Sequence, residues 1–160
     1  MPEPSTCMLS PYLGEIEWEP GCELQFPAGL PGFEDQRRMV PVEIPSQRPL
    51  IYLQSVERAG VCFLALPVLV VYPGFDLRLS EDDRALLEFD RLILSDSECP
   101  ALGTDVLCLA LLVPSGSTLK TNLDAPIVIN LHNGRGIQAV AAASAGSYRL
   151  SENGGWEAVC

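Results

Sequence analysis

Turn residues divide this chain into short apolar runs, and that division limits what it can fold into. The 160 residues include 14 prolines and 13 glycines. Several runs between them alternate apolar and polar residues, the period of a half-buried strand. Ile16 and Trp18, for example, alternate with Glu15, Glu17 and Glu19. The sequence therefore predicts an all-β fold, a small antiparallel barrel-like or sandwich domain.

Further strands are predicted where apolar, β-branched and aromatic residues cluster between turns. They cover residues 24–26, 39–44, 51–56, 61–72, 75–79, 106–113, 127–131 and 137–143. Pro41 places its run at a sheet edge, and Pro67 marks a bend or an edge. Asn133-Gly134, between the last two runs, predicts a β-hairpin.

One segment carries helix signals, and it predicts a short helix near residues 80–89. Ser80 is a suitable N-cap residue, and three acidic residues follow it in the first turn. An apolar face then follows, formed by Ala85, Leu86, Leu87 and Phe89. We expect this to be the only substantial helix.

The length of the chain favours one domain with a core of its own. We predict a loose lead-in over residues 1–13, the β domain over 14–143 and a mobile Gly/Ser-rich tail over 144–160. Residues 95–105 are rich in turn formers and are expected to form a loop. The longest apolar run, 61–72, is too short to span a membrane, and the N-terminus lacks the basic region of a signal peptide. A soluble cytoplasmic protein is expected.

The net charge of −11 limits the possible partners. No basic residue precedes Arg37, whereas seven acidic residues do: Glu3, Glu15, Glu17, Glu19, Glu23, Glu34 and Asp35. Such a surface repels phosphates, which excludes direct nucleic-acid binding. A basic protein partner would instead be attracted to it, with Glu15, Glu17 and Glu19 on one strand face as candidates. The alternative is that the charge only maintains solubility.

Catalytic and metal-binding motifs are absent from the sequence. The six cysteines include no C-x-x-C pair, and we expect no structural disulfides. His132, the only histidine, lies in the predicted hairpin turn and is expected to be a solvated, dispensable surface residue. Glu81-Asp82-Asp83 is explained by the helix dipole without a metal. We therefore expect no enzyme activity, no cofactor and no metal site.

Four apolar residues fall in or beside predicted turns: Leu30, Phe33, Leu123 and Pro126. Exposed apolar residues at such positions can anchor a protein partner. The alternative is that they close the ends of the barrel. The segment 121–130 reads as a polar turn closed by Pro126 and followed by an apolar strand.

Four segments in order resemble the family of the flagellar assembly factor FliW. They are GLPGF at 29–33, YLQSV at 52–56, FLALPVLVVYPGFDLRL at 63–79 and KTNLDAPIVIN at 120–130. The resemblance covers roughly residues 14–143. The stretch 90–104 and the tail after 143 look longer than the family pattern.

The resemblance implies a small cytoplasmic β-barrel-like protein that binds other proteins. It implies binding to the translational repressor CsrA, which relieves repression of flagellin synthesis, and binding to flagellin itself as a chaperone-like partner. Two other hypotheses remain at this point: a small-molecule-binding β-barrel and an enzyme that uses His132. A small-molecule site would require a hollow apolar interior, whereas a protein-binding role fits a filled one.

Overall fold

The computed structural model describes residues 6–73, 75, 77–89, 105–115, 117–139, 147–150 and 156–159. These residues form twelve strands and two short α-helices. The strands are β1 Thr6–Ser10, β2 Gly14–Trp18, β3 Leu24–Gln25, β4 Arg38–Val42, β5 Ile51–Ser55, β6 Cys62–Pro67, β7 Arg78–Leu79, β8 Val106–Ser115, β9 Thr118–Asn130, β10 Gly136–Gln138, β11 Ser147–Leu150 and β12 Trp156–Val159. The helices are α1 Val68–Val71 and α2 Glu81–Leu87. The prediction of an all-β fold with one helix near 80–89 is confirmed.

Seven antiparallel strands form the main sheet in the order β10-β9-β8-β6-β5-β4-β3. This sheet curls until its two ends meet. The backbone N–H of Gln25 in β3 donates a 2.8 Å hydrogen bond to the carbonyl of Gly134, just before β10. The result is a nearly closed barrel, with β1–β2 and β7–β11–β12 as two smaller sheets.

The segments 106–111 of β8 and 126–130 of β9 have buried residues on both faces, which explains the continuous apolar runs in their sequence. On one face, Leu109, Leu111, Ile127 and Ile129 fill the barrel interior. Residues from the other strands and turns pack against them, including Phe26, Leu30, Met39, Ile51, Leu53 and Ala65. On the opposite face, a second cluster joins these strands to the two helices: Val68, Leu77, Leu79, Leu87, Phe89, Val106, Cys108, Ala110, Val128, Ile137 and Ala139.

Strand β9 contains a large irregular bulge at residues 123–126. Leu109 pairs with Ile127, but Leu111 already pairs with Asn122, so four residues of β9 lie opposite one residue of β8. The amide N–H of Asp124 donates a 3.2 Å hydrogen bond to Oδ1 of Asn122. This contact closes a short turn inside the bulge. The sequence predicted a turn here before a strand. The structure instead continues the strand from Thr118 through the irregularity.

Helix α2 begins and ends where its sequence signals place it. Oγ of Ser80 accepts a 3.1 Å hydrogen bond from the amide of Asp83, the expected N-cap contact. The helix ends at Leu87, and Glu88 follows in the left-handed conformation with φ 59°. The predicted β9–β10 hairpin is also confirmed, with Gly134 at φ 73° in its turn.

Three predicted segments differ from the structure. Thr6–Ser10, within the predicted loose lead-in, pairs with Gly14–Trp18 as a hairpin. Val68–Val71, predicted as the end of a strand, forms one helical turn after a bend at Pro67. In the predicted tail, Ser147–Leu150 pairs with both β7 and Trp156–Val159. Each depends on pairing or packing with distant residues. The predicted loop before Asp105 lies outside the described residues.

Neither helix in the described part of the chain is long and apolar enough to cross a membrane.

Candidate protein-interaction surface

The outward side of the β1–β2 hairpin combines carboxylates with an exposed apolar side chain. Leu9 lies directly opposite Glu15, and Cys7 directly opposite Glu17. Directly opposite residues of an antiparallel pair share one face. All four are exposed, and Glu19 continues the same alternation in extended backbone with φ −81° and ψ 143°. We call these five residues the acidic hairpin face.

The inward side of the same hairpin fixes it to the barrel. Ile16 and Trp18 are buried against Val40 of β4, and together they form a third apolar cluster. Partly buried residues complete this cluster: Met8, Leu13, Val42 and Val56. The alternation predicted for residues 15–19 is therefore confirmed: the apolar side chains point inward and the glutamates point outward.

Polar contacts add to this attachment. Oγ of Ser10 donates a 2.8 Å hydrogen bond to Oε1 of the fully buried Gln54. The same oxygen accepts hydrogen bonds of 3.2 Å from the backbone amides of Tyr12 and Leu13. The Tyr12 hydroxyl donates 3.1 Å to the carbonyl of Gly60. The Gln54 amide in turn donates to backbone carbonyls of the β5–β6 turn, those of Ser55, Ala59 and Val61. The hairpin is thus held by both apolar packing and hydrogen bonds.

The Ser10–Gln54 contact was not found from the sequence. The motif YLQSV did contain a signal, because Gln54 is a polar residue within a strand and a buried polar group requires partners. Its partner lies 44 positions earlier in the chain. No spacing rule connects two such positions.

The three carboxylates on the acidic hairpin face carry no ion pair within the residues that the structure describes. Within the described part of the chain, Glu15, Glu17 and Glu19 form no ion pair, whereas nearby acidic residues do. Glu23 pairs with Arg38 at 3.5 Å, and Asp35 pairs with Arg58 at 3.4 Å. Unpaired carboxylates keep their full charge effect on an approaching partner.

The GLPGF segment forms the predicted tight turn. The amide of Phe33 donates 2.7 Å to the carbonyl of Leu30, and Gly32 has φ 84°, as a type II turn with proline at its second position requires. The amide of Gly32 also donates 3.0 Å to Oε1 of Glu34, and this hydrogen bond lowers the pKa of the Glu34 carboxyl.

The predicted apolar anchors are mostly not exposed. Leu30 is only 1% exposed and Pro126 is buried, so the prediction that they lie exposed as anchors is wrong. Phe33 is half-buried and packs edge-to-face on Phe63, with ring centroids 5.1 Å apart. Leu123 is half-buried against the core. These turns fold inward because their apolar side chains cover the barrel. This agrees with the alternative hypothesis that they close the ends of the barrel.

Other apolar residues are exposed instead. In and beside α1, Leu69, Val70 and Tyr72 are 40%, 57% and 54% exposed. Only Val68 of this turn reaches the core. This exposed surface was not predicted, because the apolar run 61–72 was interpreted as one strand. In the structure the chain bends at Pro67, and the end of the run turns outward.

His132 differs from its prediction in one respect. It lies in the β9–β10 turn and is exposed, as expected, but its Nε2 contacts Oδ1 of the buried Asp105. The same turn holds the end of α2: Asn130 donates 2.8 Å to the carbonyl of Leu87, and Arg135 donates 2.7 Å to that of Leu86. His132 is therefore part of a structural connection and not only a solvated side chain.

The cysteines within the described residues are free thiols. Cys7 and Cys22 are exposed, Cys62 is half-buried and Cys108 is buried. Burial raises the pKa of the Cys108 thiol to about 12. Among the residues that the structure describes, no group of three or more His, Cys, Asp or Glu side chains is arranged to hold a metal ion.

The fold defines a small antiparallel β-barrel-like protein, and the acidic hairpin face lies exposed on its surface. The model of the FliW protein family matches residues 8–152. The flagellar assembly factor FliW of Oceanobacillus iheyensis is 34% identical over 124 residues, 76% of this chain and 77% of that protein. That of Thermosipho africanus is 32% identical over 130 residues, 80% of this chain and 83% of that protein.

A crystal structure of the flagellar assembly factor FliW superposes with a TM-score of 0.72 at 25% identity, covering 87% of this chain and 91% of that one. The chain belongs to the FliW family of flagellar assembly factors.

Proposed function

We propose that this protein is a cytoplasmic, non-enzymatic regulator that binds a CsrA-type translational repressor and thereby releases flagellin synthesis. Flagellin is its second partner, and exchange between the two couples the amount of flagellin to flagellin translation. The proposal takes the family's activities, as the sequence resemblance implies them, and applies them to this chain.

The acidic hairpin face is the observation that carries the proposal. An RNA-binding repressor must be basic where it holds phosphates. Glu15, Glu17 and Glu19 present charges without partners in the described part of the chain, on a hairpin fixed by Trp18 and by Ser10. A body of net charge −11 bound to the repressor also raises the cost of bringing RNA nearby, within the Debye length of about 8 Å.

The barrel interior supports a role on the outer surface. Phe26, Met39, Leu53, Leu109 and Ile127 are each 0% exposed and pack together inside it. A small-molecule site is expected to be a cavity lined by apolar residues with a few inward polar groups. The described interior is instead filled with side chains, so no specific observation favours the ligand-binding hypothesis.

Affinity capture from a lysate of the source organism tests the proposal. The purified protein, immobilised through its C-terminus, is expected to retain the CsrA-type repressor and flagellin, identified by mass spectrometry. A matched bait carrying Glu15→Gln, Glu17→Gln and Glu19→Gln should retain less repressor at low salt. Capture of neither protein by the unaltered bait would contradict the proposal.

A further inference from the structure

We propose that the free edge of β1 accepts an extended, arginine- or lysine-rich segment of a partner protein as an additional strand. The proposal deepens the proposed function, because it specifies how a basic partner would contact the acidic hairpin face. It commits to an extended segment that forms backbone hydrogen bonds, and not to a helix or a loop that lies across the face.

The backbone of β1 is hydrogen-bonded along one edge only in the described part of the chain. Thr6–Ser10 pairs with β2, and these two strands form a sheet by themselves. By contrast, the two end strands of the main sheet meet, since Gln25 of β3 is hydrogen-bonded to Gly134 just before β10. Outward amides and carbonyls of a free edge are a template for strand addition.

The edge lacks the usual features that prevent pairing. Proline, lysine and bulges commonly protect exposed edges, but β1 reads Thr-Cys-Met-Leu-Ser and pairs with β2 without a register shift. Leu9 is 74% exposed, the largest fraction among the exposed large apolar side chains described. Ser10 holds the end of the strand to Gln54, so the template is already ordered.

The charge pattern decides the chemistry of the added strand. Neighbouring strands lie about 4.8 Å apart, so a strand beside β1 has β2 at roughly twice that distance. Arginine or lysine side chains on its outward face are long enough to cross β1 and reach Glu15 and Glu17. Their aliphatic stems would then cover Leu9, which lies opposite Glu15.

A second copy of this chain is a poorer occupant of the edge. Each copy carries a net charge of −11, and the face beside β1 carries only carboxylates as charged groups. Pairing two such edges would bring like charges together without a cation between them.

Residue-resolved amide exchange by NMR tests the proposal with a defined probe, a synthetic peptide in which arginine and valine alternate. In the free protein, some amides of Thr6–Ser10 should exchange quickly because they point away from β2. With the peptide at about ten times its Kd, these amides should exchange about tenfold more slowly. A peptide alternating glutamate and valine is the matched control and should leave them unchanged.

Two variants locate the effect. Leu9→Lys places a cation where the stems of the added strand should lie, and it should weaken peptide binding by about tenfold. Leu119→Lys makes the same change at another strand residue that is 56% exposed, and it should leave binding unchanged. Both positions are exposed, so both variants should fold.

Three outcomes would overturn the proposal: no peptide binding, binding without slower exchange in β1, or slow exchange that grows with protein concentration alone, which would assign the edge to a second copy. Repeating the exchange measurement with the CsrA-type repressor separates this inference from the proposed function. Repressor binding without protection of β1 removes the strand-addition mode and leaves the function intact. Protection by the arginine peptide without repressor binding supports the edge and contradicts the function.

Discussion

The hydroxyl of Ser10 donates a 2.8 Å hydrogen bond to the side-chain oxygen of Gln54, and this contact joins the acidic hairpin to the barrel. Both residues are buried, at 2% and 0% exposure. Ser10 ends β1, and Gln54 lies in β5 beside the β5–β6 turn that it also bonds. One pair of polar groups therefore sets where the proposed contact surface lies relative to the core.

Replacing Ser10 by alanine should destabilise the protein. Oε1 of Gln54 would lose its described partner, and the amides of Tyr12 and Leu13 would lose their acceptor. We expect the free energy of unfolding, from urea titration, to fall by about 1–3 kcal/mol. Ser46→Ala, at an exposed position, is the control and should stay within about 0.5 kcal/mol. Equal behaviour of the two variants would show that the hydrogen bond does not secure the hairpin.

A glycine series should separate backbone strain from steric overlap in the first turns of the chain. Gly29 has φ 66°, and a Cβ there would lie 2.6 Å from Cα of Glu34. Gly32 has φ 84° with open space, and Gly21 has neither constraint. Substitution by alanine should cost little at Gly21, about 1–2 kcal/mol at Gly32 and at least about 2 kcal/mol at Gly29.

Thermal and urea unfolding of the three variants would rank their losses in the free energy of unfolding. If Gly29→Ala were no less stable than Gly32→Ala, the close approach to Glu34 would not exist in solution.

Local signals predicted the parts of the fold that local chemistry determines. Ser80 and the three acids after it specify the start of α2, and Asn133-Gly134 specifies the β9–β10 turn. The exposed glutamates follow from alternation with Ile16 and Trp18. In each of these cases the residues that set the structure are within a few positions of one another.

Other parts depend on distant contacts and were not predictable. Thr6–Ser10 has no periodicity of its own and becomes a strand by pairing with β2. Val68–Val71 is apolar, and three of its four residues are β-branched, yet packing of Val68 in the core and the bend at Pro67 favour one helical turn. For Leu30 and Pro126, the sequence showed turns but not that those turns fold inward over the barrel.

The contact between His132 and Asp105 changes the expectation for a histidine variant. His132→Ala removes a hydrogen-bonding partner of a buried carboxylate. We expect a loss of about 1.5–3 kcal/mol in the free energy of unfolding, with repressor binding unchanged. Leu131→Ala, at an exposed residue of the same turn, is the matched control and should stay within about 0.5 kcal/mol. Weakened binding with unchanged stability would give His132 a functional role instead.

Thiol reactivity should follow burial. Burial raises the pKa of Cys108 to about 12 from 9.0, so almost no thiolate exists there at pH values near 8. Iodoacetamide should therefore modify Cys7 and Cys22 in the folded protein, and Cys108 only after unfolding in urea. Peptide mass spectrometry of both samples would measure this. Rapid modification of Cys108 without denaturant would contradict its burial between β8 and the helices.

The glutamates of the acidic hairpin face should act on the rate of association. Replacing Glu15, Glu17 and Glu19 by Gln should slow association with the repressor at low salt and leave dissociation similar. The difference should disappear near 1 M salt, where the Debye length is about 3 Å. The matched control carries Glu81→Gln, Asp82→Asn and Asp124→Asn, which remove the same charge from exposed positions elsewhere. Equal slowing in both variants would assign the effect to net charge rather than to this face.

A competition titration tests the central claim most directly. The protein is added to fluorescently labelled CsrA-type repressor while anisotropy is recorded, and flagellin monomer is then added to the complex. We predict a rise in anisotropy with a Kd of roughly 1 μM or tighter, and a return toward the free value as flagellin displaces the repressor. An anisotropy that stays at the free value up to roughly 100 μM protein would contradict the account.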